Sequence, residues 1–169
     1  MPRVALVARH VDNAIEYAGN KQEPPAVCCQ AADSACCEPP PAELREGVAL
    51  FNAGEYFTCH EVLEELWRAE LRPVRGLYQG ILQIGVAFHH LQRGNWIGAV
   101  RLLERGLARV EPFQPCCQGV DTARLVAQAR VCLEQLITLG PERSRAFSWR
   151  LVPTIVIHEH VDAEHGRNR

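Results

Sequence analysis

The sequence predicts an all-α protein, a compact bundle of about five helices in antiparallel hairpins with irregular N- and C-terminal extensions. Apolar residues recur at the helical period throughout residues 42–140. Gly, Pro, Asn and Asp interrupt this stretch about once per helix length, which indicates short connections. Short connections favour antiparallel neighbours, so the helices should pack as successive hairpins.

Each predicted helix begins or ends at a recognisable residue. The predicted ranges are 42–52, 55–70, 74–93, 95–111 and 121–139, the last two counted from their caps. Gly54, Gly94 and Gly140 follow the first, third and fifth helices, where glycine favours termination. Asn95 and Asp121 are expected to cap the fourth and fifth helices, because their side chains accept hydrogen bonds from free amides of the first turn.

The chain divides into three parts at these boundaries. They are an N-terminal helix and Pro/Cys-rich linker (1–41), a helical bundle domain (42–140) and a C-terminal extension (141–169). The first helix should span 3–18, and the five Pro of residues 21–41 predict a mobile linker that the bundle does not need for folding. Residues 149–160 are rich in β-branched side chains, but Pro153 predicts an edge strand or an irregular arm.

The composition excludes several classes of function. A net charge of −2 gives no long-range attraction to nucleic acid or to an anionic membrane, so neither is an expected partner. The N-terminal residues do not resemble a signal peptide, and the longest uncharged stretch, 76–92, is too rich in Gln and His to span a bilayer. We therefore expect a cytoplasmic protein whose eight Cys are reduced thiols.

The most distinctive pattern lies in residues 51–67, FNAGEYFTCHEVLEELW. His60, Glu64 and Trp67 form the series His-x-x-x-Glu-x-x-Trp. A helix turns about 100° per residue, so the three side chains fall within roughly 40° of one another on one face. A base, a carboxylate and a large aromatic ring on one stripe could bind a metal or a ligand.

The third predicted helix carries a second polar stripe. Residues 77–91 contain no Asp, Glu, Lys or Arg, which is typical of a helix at the centre of its bundle. Gln79, Gln83 and His90 nevertheless share one face. A buried polar group without a partner costs about 1–3 kcal/mol, so these side chains should meet the stripe of the preceding helix.

Three runs of the sequence, taken in order, resemble the bacterial and archaeal family called domain of unknown function 309. The runs are FNAGEYFTCHEVLEELW, QGILQIGVAFHHLQRGN and GAVRLLERGLARVEPF, within about residues 43–138. The positions that match the family's motifs are His60, Glu64 and Trp67, then Gln79, Gly80 and Gln83, then His90, Gly94 and Asn95. The resemblance implies a compact helical bundle and a metal-binding role for the signature, with no established reaction.

Two interpretations of the polar stripes remain open, and neither assigns a catalytic residue. In the first, His60, Glu64 and His90 bind a divalent transition metal such as Zn or Fe, or a small molecule binds at Gln79, Gln83 and Trp67. In the second, the same residues form a structural hydrogen-bond seam in a non-catalytic interaction or scaffold module. That module would bind a protein partner or a second copy of itself. Position 64 is Glu rather than His, which excludes the zinc-protease motif.

Overall fold

Five α-helices make up most of residues 34–158, the part of the chain that the computed structural model describes. They are α1 (Ala42–Asn52), α2 (Tyr56–Ala69), α3 (Arg75–Gln92), α4 (Trp96–Val110) and α5 (Thr122–Leu139). Each helix end agrees with its predicted range to within one residue, and the all-α prediction is confirmed. The helix predicted over 3–18 lies outside the described residues.

The predicted helix boundaries have the expected local geometry. Gly94 has a φ of 74°, a left-handed conformation that glycine adopts without steric cost, and it ends α3. The Asn95 side chain accepts a hydrogen bond from the Gly98 amide at 2.9 Å, and Asp121 accepts one from the Arg124 amide at 2.9 Å. Both side chains therefore act as N-caps, as the sequence predicts.

The helix α3 is central in the bundle, where it packs against both α2 and α4. Nine of its residues are buried, which agrees with its uncharged sequence. Around it, the rings of Phe51, Tyr56 and Phe88 contact one another with centroid separations of 5.5–6.2 Å. No helix within residues 34–158 combines the length and the hydropathy needed to cross a bilayer.

A small β-hairpin between α4 and α5 was not predicted. Its strands, β1 (Cys116–Cys117) and β2 (Val120–Asp121), are antiparallel and contain two residues each. Ile157 forms an isolated bridge with Val120, and the His158 amide donates to the Gly119 carbonyl at 2.8 Å. The later part of the C-terminal extension therefore runs beside the hairpin.

The expectation of reduced thiols is wrong for Cys36 and Cys117, which form a disulfide across 81 residues of sequence. Cys116 is disulfide-bonded as well. Adjacent Cys pairs rarely bond to each other, but this argument does not address a pairing between distant segments that the fold brings together.

Residues 34–41, which the sequence assigned to the linker, pack against the bundle. Ala35 and Cys36 lie in a 3-10 helix, Ser34–Cys37, and are fully buried. The Cys36 carbonyl accepts from the Gln118 amide at 2.7 Å, and Glu38 pairs with Arg72 at 2.7 Å. The rest of the predicted linker lies outside the described residues.

Through residue 158, the C-terminal extension contains short 3-10 helices and no regular strand. These are Pro141–Ala146 and Trp149–Leu151. From Val152 to His158 the chain continues without a regular element, apart from the bridge at Ile157. The irregular arm that Pro153 predicts is therefore observed through residue 158.

Candidate functional site

The His60–Glu64–Trp67 stripe lies at the edge of α2, between its buried face and solvent. The buried face consists of Tyr56, Cys59 and Leu63. Because the stripe is offset from these residues by one position, its members are half-buried. The side chains of His60 and Glu64 are 32% and 30% exposed, so they are neither sealed in the core nor fully in solvent.

Two ring contacts fix how α2 and α3 align. At one end the rings of Phe57 and His89 lie 5.7 Å apart, and at the other the Arg75 guanidinium lies 4.9 Å from the Trp67 ring centre. The helices are therefore antiparallel. Counting residues along α2 and α3 from either contact places His60 level with residues 82–86 of α3.

The same alignment sets the two predicted polar stripes at the same height along the helix pair. Gln83 falls at the level of His60, and Gln79 at the level of Glu64. Both glutamines are half-buried, at the edge of α3 rather than in its core face. No hydrogen bond within residues 34–158 joins these amides to the His–Glu stripe, so their meeting stays a prediction.

His90 is separated from this group. It lies about six residues beyond the level of His60, which corresponds to roughly 9 Å along the helix axis. Its Nδ1 is 2.9 Å from Nδ2 of Asn95, and this side-chain amide donates the hydrogen bond. Within residues 34–158 no three His, Cys, Asp or Glu side chains are placed to hold one metal ion. The three-residue set of His60, Glu64 and His90 is therefore not assembled.

Glu64 already has a cationic partner. The Arg68 Nη2 donates to its Oε1 at 2.8 Å, one helical turn away. The His60 Nε2 lies 3.8 Å from the other carboxylate oxygen, which is close enough for electrostatic attraction but too long for a hydrogen bond. Arg68 thus offsets the negative charge that a metal cation would need at this carboxylate.

Two polar atoms of the site are buried without a hydrogen-bond partner among the described residues. They are Nδ1 of His60 and Oε1 of Gln83. Most buried polar atoms in proteins are paired, because an unpaired one loses its interaction with water and gains nothing in return. Among the described residues, these side chains therefore do not form a hydrogen-bond seam in which every buried polar atom has a partner.

Trp67 and Phe57 bound the site at its two ends. Trp67 packs against the hydrophobic core and carries Arg75 over its ring. Phe57 is 57% exposed, and its ring lies 6.3 Å from that of His60. Sequence reasoning missed Phe57, although an apolar residue three positions before His60 belongs to the same helical stripe.

Comparison with known proteins identifies a family whose sequence model matches this region. Residues 44–102 match the sequence model of the family described as domain of unknown function (DUF309). This match includes α2, α3 and both polar stripes, but neither the hairpin nor α5.

Two relatives extend the similarity along the chain. The chain is similar to the uncharacterized protein YpuF of Bacillus subtilis, with 32% identity over 108 residues, which is 62% of this chain and 62% of the relative. It is also similar to an uncharacterized protein of Aquifex aeolicus, with 22% identity over 95 residues, 56% of this chain and 27% of that protein. The chain thus spans less than two thirds of either relative. No solved structure matches. The resemblance to the domain of unknown function 309 family, which the sequence predicted, is therefore confirmed for residues 44–102.

Proposed function

We propose that this helical bundle is a binding protein for a small ligand, with its site at the edge between α2 and α3. The ligand offers N–H hydrogen-bond donors, as an amine or an amide does. The observation that carries the proposal is that two buried atoms, Nδ1 of His60 and Oε1 of Gln83, have no hydrogen-bond partner within residues 34–158, beside the partly exposed side chains of His60 and Glu64.

The chemistry of the ligand follows from what these two atoms can do. Gln83 Oε1 is an acceptor. When the His60 proton is on Nε2, the nitrogen that faces the Glu64 carboxylate, Nδ1 is an acceptor as well. Two buried acceptors at one level of the helix pair are complementary to a group that donates hydrogen bonds. An anion or a purely apolar ligand would leave both unsatisfied.

A metal ion fits the site less well. A catalytic zinc ion commonly has three protein ligands and one open position. Here Glu64 is paired with Arg68 and His90 with Asn95, so two of the three predicted ligands have other partners. A Zn or Fe site at His60, Glu64 and His90 is therefore an alternative outcome of the experiment below.

A non-catalytic interaction module is the second candidate, and Phe57 favours it. This ring is more than half exposed, and it contacts the imidazoles of His60 and His89. An amine-bearing side chain of a protein partner, or of a second copy, could supply the donors while an apolar group covers Phe57. Such a partner would use the same two acceptors.

The test follows the imidazole nitrogens of His60 by two-bond 1H–15N NMR on the full chain, with the signals assigned through His60→Ala. Methylammonium is the probe, and tetramethylammonium is the matched control because it carries the same charge without an N–H donor. A two-atom probe can contribute at most about 3 kcal/mol, so its Kd is no better than about 6 mM. We expect a saturable His60 shift with methylammonium alone.

The variants make the result specific. Gln83→Leu should abolish the shift, whereas Gln92→Leu, an exposed position on the same helix, should leave it unchanged. If Zn²⁺ shifts His60 and methylammonium does not, the metal alternative is correct. If neither probe shifts His60, or if tetramethylammonium acts equally, the proposed ligand chemistry is wrong.

A further inference from the structure

A second cleft lies at the C-terminal end of α3, away from the stripes of α2. It has a volume of about 340 Å³ and is lined on one side by Leu91 and Arg93 and on the other by Ser144, Arg145 and Trp149. Small-molecule sites in proteins commonly have volumes of about 300–1,000 Å³. The cleft is therefore large enough for a single small ring with one substituent.

The charge of this cleft is positive. Arg93 follows α3 directly, and Arg145 belongs to the 3-10 helix Pro141–Ala146. Within residues 34–158 neither guanidinium has a carboxylate partner, and no Asp or Glu lines the cleft. The neighbouring Arg143, in contrast, donates to the carbonyls of Thr138 and Leu139 at 3.0 and 3.3 Å. Guanidinium groups bind carboxylates and phosphates through paired N–H donors.

Trp149 forms the aromatic wall of the cleft, where a neighbouring ring holds it in place while part of it stays exposed to solvent. Trp149 meets the ring of Phe147 edge to face, with a centroid separation of 5.5 Å, and Phe147 is buried. Trp149 itself remains 45% exposed. A fixed, exposed indole offers a planar ring a surface for stacking, and such pairs contribute about 0.5–1.5 kcal/mol beyond burial.

The C-terminal end of α3 repels an anion bound in the cleft, but only weakly. A helix C-terminus carries a partial charge of about −0.5 from its free carbonyls. Here the carbonyls of His89, His90 and Leu91 already accept hydrogen bonds from the amides of the turn that follows. Two full positive charges from Arg93 and Arg145 therefore outweigh the helix end.

From these observations we infer that the cleft between the end of α3 and the 3-10 segment binds a small organic anion that carries a planar ring. Arg93 and Arg145 hold its carboxylate or phosphate, and Trp149 stacks on its ring. This site is independent of the α2–α3 site, because it shares no lining residue with the His60–Gln83 stripe.

The experiment monitors the indole N–H of Trp149 by 1H–15N NMR on the full chain, with the signal assigned through Trp149→Phe. Phenyl phosphate and benzoate are the two probes, which distinguish a phosphate from a carboxylate. Inorganic phosphate has the charge without the ring, and benzyl alcohol has the ring without the charge. We expect a saturable shift with phenyl phosphate or benzoate at lower concentration than with either control.

Substitution of the arginines tests the assignment of the charge. Arg93→Gln and Arg145→Gln should each weaken binding roughly tenfold or more, since each removes a charge-assisted contact. Arg101→Gln, at an exposed position on α4, should not change it. An equal midpoint with inorganic phosphate or benzyl alcohol would overturn the proposal. An equal loss in Arg101→Gln, or no saturable shift with either probe, would do the same.

Discussion

Gly80 of α3 and Gly106 of α4 face each other where the two helices cross. A Cβ atom on Gly106 would lie 2.9 Å from the Gly80 carbonyl oxygen and 3.0 Å from the Ile84 backbone nitrogen. Real Cβ atoms do not approach backbone so closely, so the two helices touch at a point that only glycine allows. The central position of α3 depends on this close crossing.

Gly106→Ala should therefore destabilise the protein, because its new methyl group meets backbone that cannot move aside. Overpacking of this kind typically costs about 1–3 kcal/mol. Gly85→Ala is the matched control, since its Cβ would make ordinary contacts of 3.4 Å or more and alanine favours the helix. Urea unfolding of both variants checks the difference. A Gly106→Ala protein as stable as Gly85→Ala would show that the helices separate easily.

Gln83→Leu should stabilise the unliganded protein. Within residues 34–158 the Gln83 Oε1 is buried and has no hydrogen-bond partner, so replacing the amide by an apolar side chain of similar size removes a desolvation cost of about 1–3 kcal/mol. In a closed hydrogen-bond seam the same substitution would strand a partner and reduce the free energy of unfolding. Thermal unfolding shows whether Gln83→Leu is more or less stable than the wild type. Gln92→Leu is the control, because position 92 is exposed.

The helices could be predicted from sequence because their boundaries are encoded locally. Gly94 and Asn95, for instance, end α3 and cap α4 through contacts within a few residues. The hairpin at Cys116–Cys117 could not be predicted, since a strand of two residues is too short to show an alternating pattern. The Cys36–Cys117 disulfide joins segments whose proximity depends on the whole fold.

The candidate site was predicted in part for the same reason. The spacing of His60 and Glu64 defines one stripe of a helix, which is a local property. Whether His90 reaches them depends on how α3 slides along α2, and no local pattern encodes that alignment. Its hydrogen bond with Asn95 belongs to the following turn. The sequence therefore located the stripes but could not decide which of their members meet.

Acid should weaken the protein partly through Glu70. Hydrogen bonds from the Arg72 side chain hold the pKa of this carboxyl at about 2, below its ordinary value of 4.5. A lowered folded-state pKa means that the unfolded chain binds protons first, so this stabilisation is complete above about pH 4.5 and is lost as the pH falls to about 2. The stability difference between wild type and Glu70→Gln should shrink across that range.

The control for this measurement is Glu104→Gln, which changes an exposed carboxylate on α4. Urea unfolding from pH 2 to pH 6 should show no comparable pH dependence in the difference between Glu104→Gln and wild type. If the Glu70→Gln difference is constant with pH, the Arg72 contact does not hold in solution.

Removal of the Cys36–Cys117 disulfide should cost about 2–5 kcal/mol, because the bond closes a long loop across 81 residues. Cys36→Ala and the double variant Cys36→Ala/Cys117→Ala both break the same bond, so each should lose stability in non-reducing urea unfolding. Limited proteolysis should then cleave residues 34–41 faster. If the double variant resists cleavage as well as the wild type does, packing alone holds this segment in place.

Cys59 and Cys132 should not react with alkylating reagents in the folded protein. Both thiols are fully buried, and burial raises the pKa of each to about 12. At pH 8 only about one thiol in ten thousand is then a thiolate, which is the reactive form. Mass spectrometry after iodoacetamide treatment should find both unmodified, and modified once urea is added. Rapid modification without urea would reveal frequent opening of the core.

The hairpin between α4 and α5 also links the segment that precedes the five helices to the segment that follows them. The Gln118 amide donates to the Cys36 carbonyl, before α1, and the adjacent Gly119 carbonyl accepts from the His158 amide, after α5. Two adjacent hairpin residues thus hold the segment before α1 close to the segment after α5. A label beside Cys36 and a label at His158 should therefore lie a short distance apart.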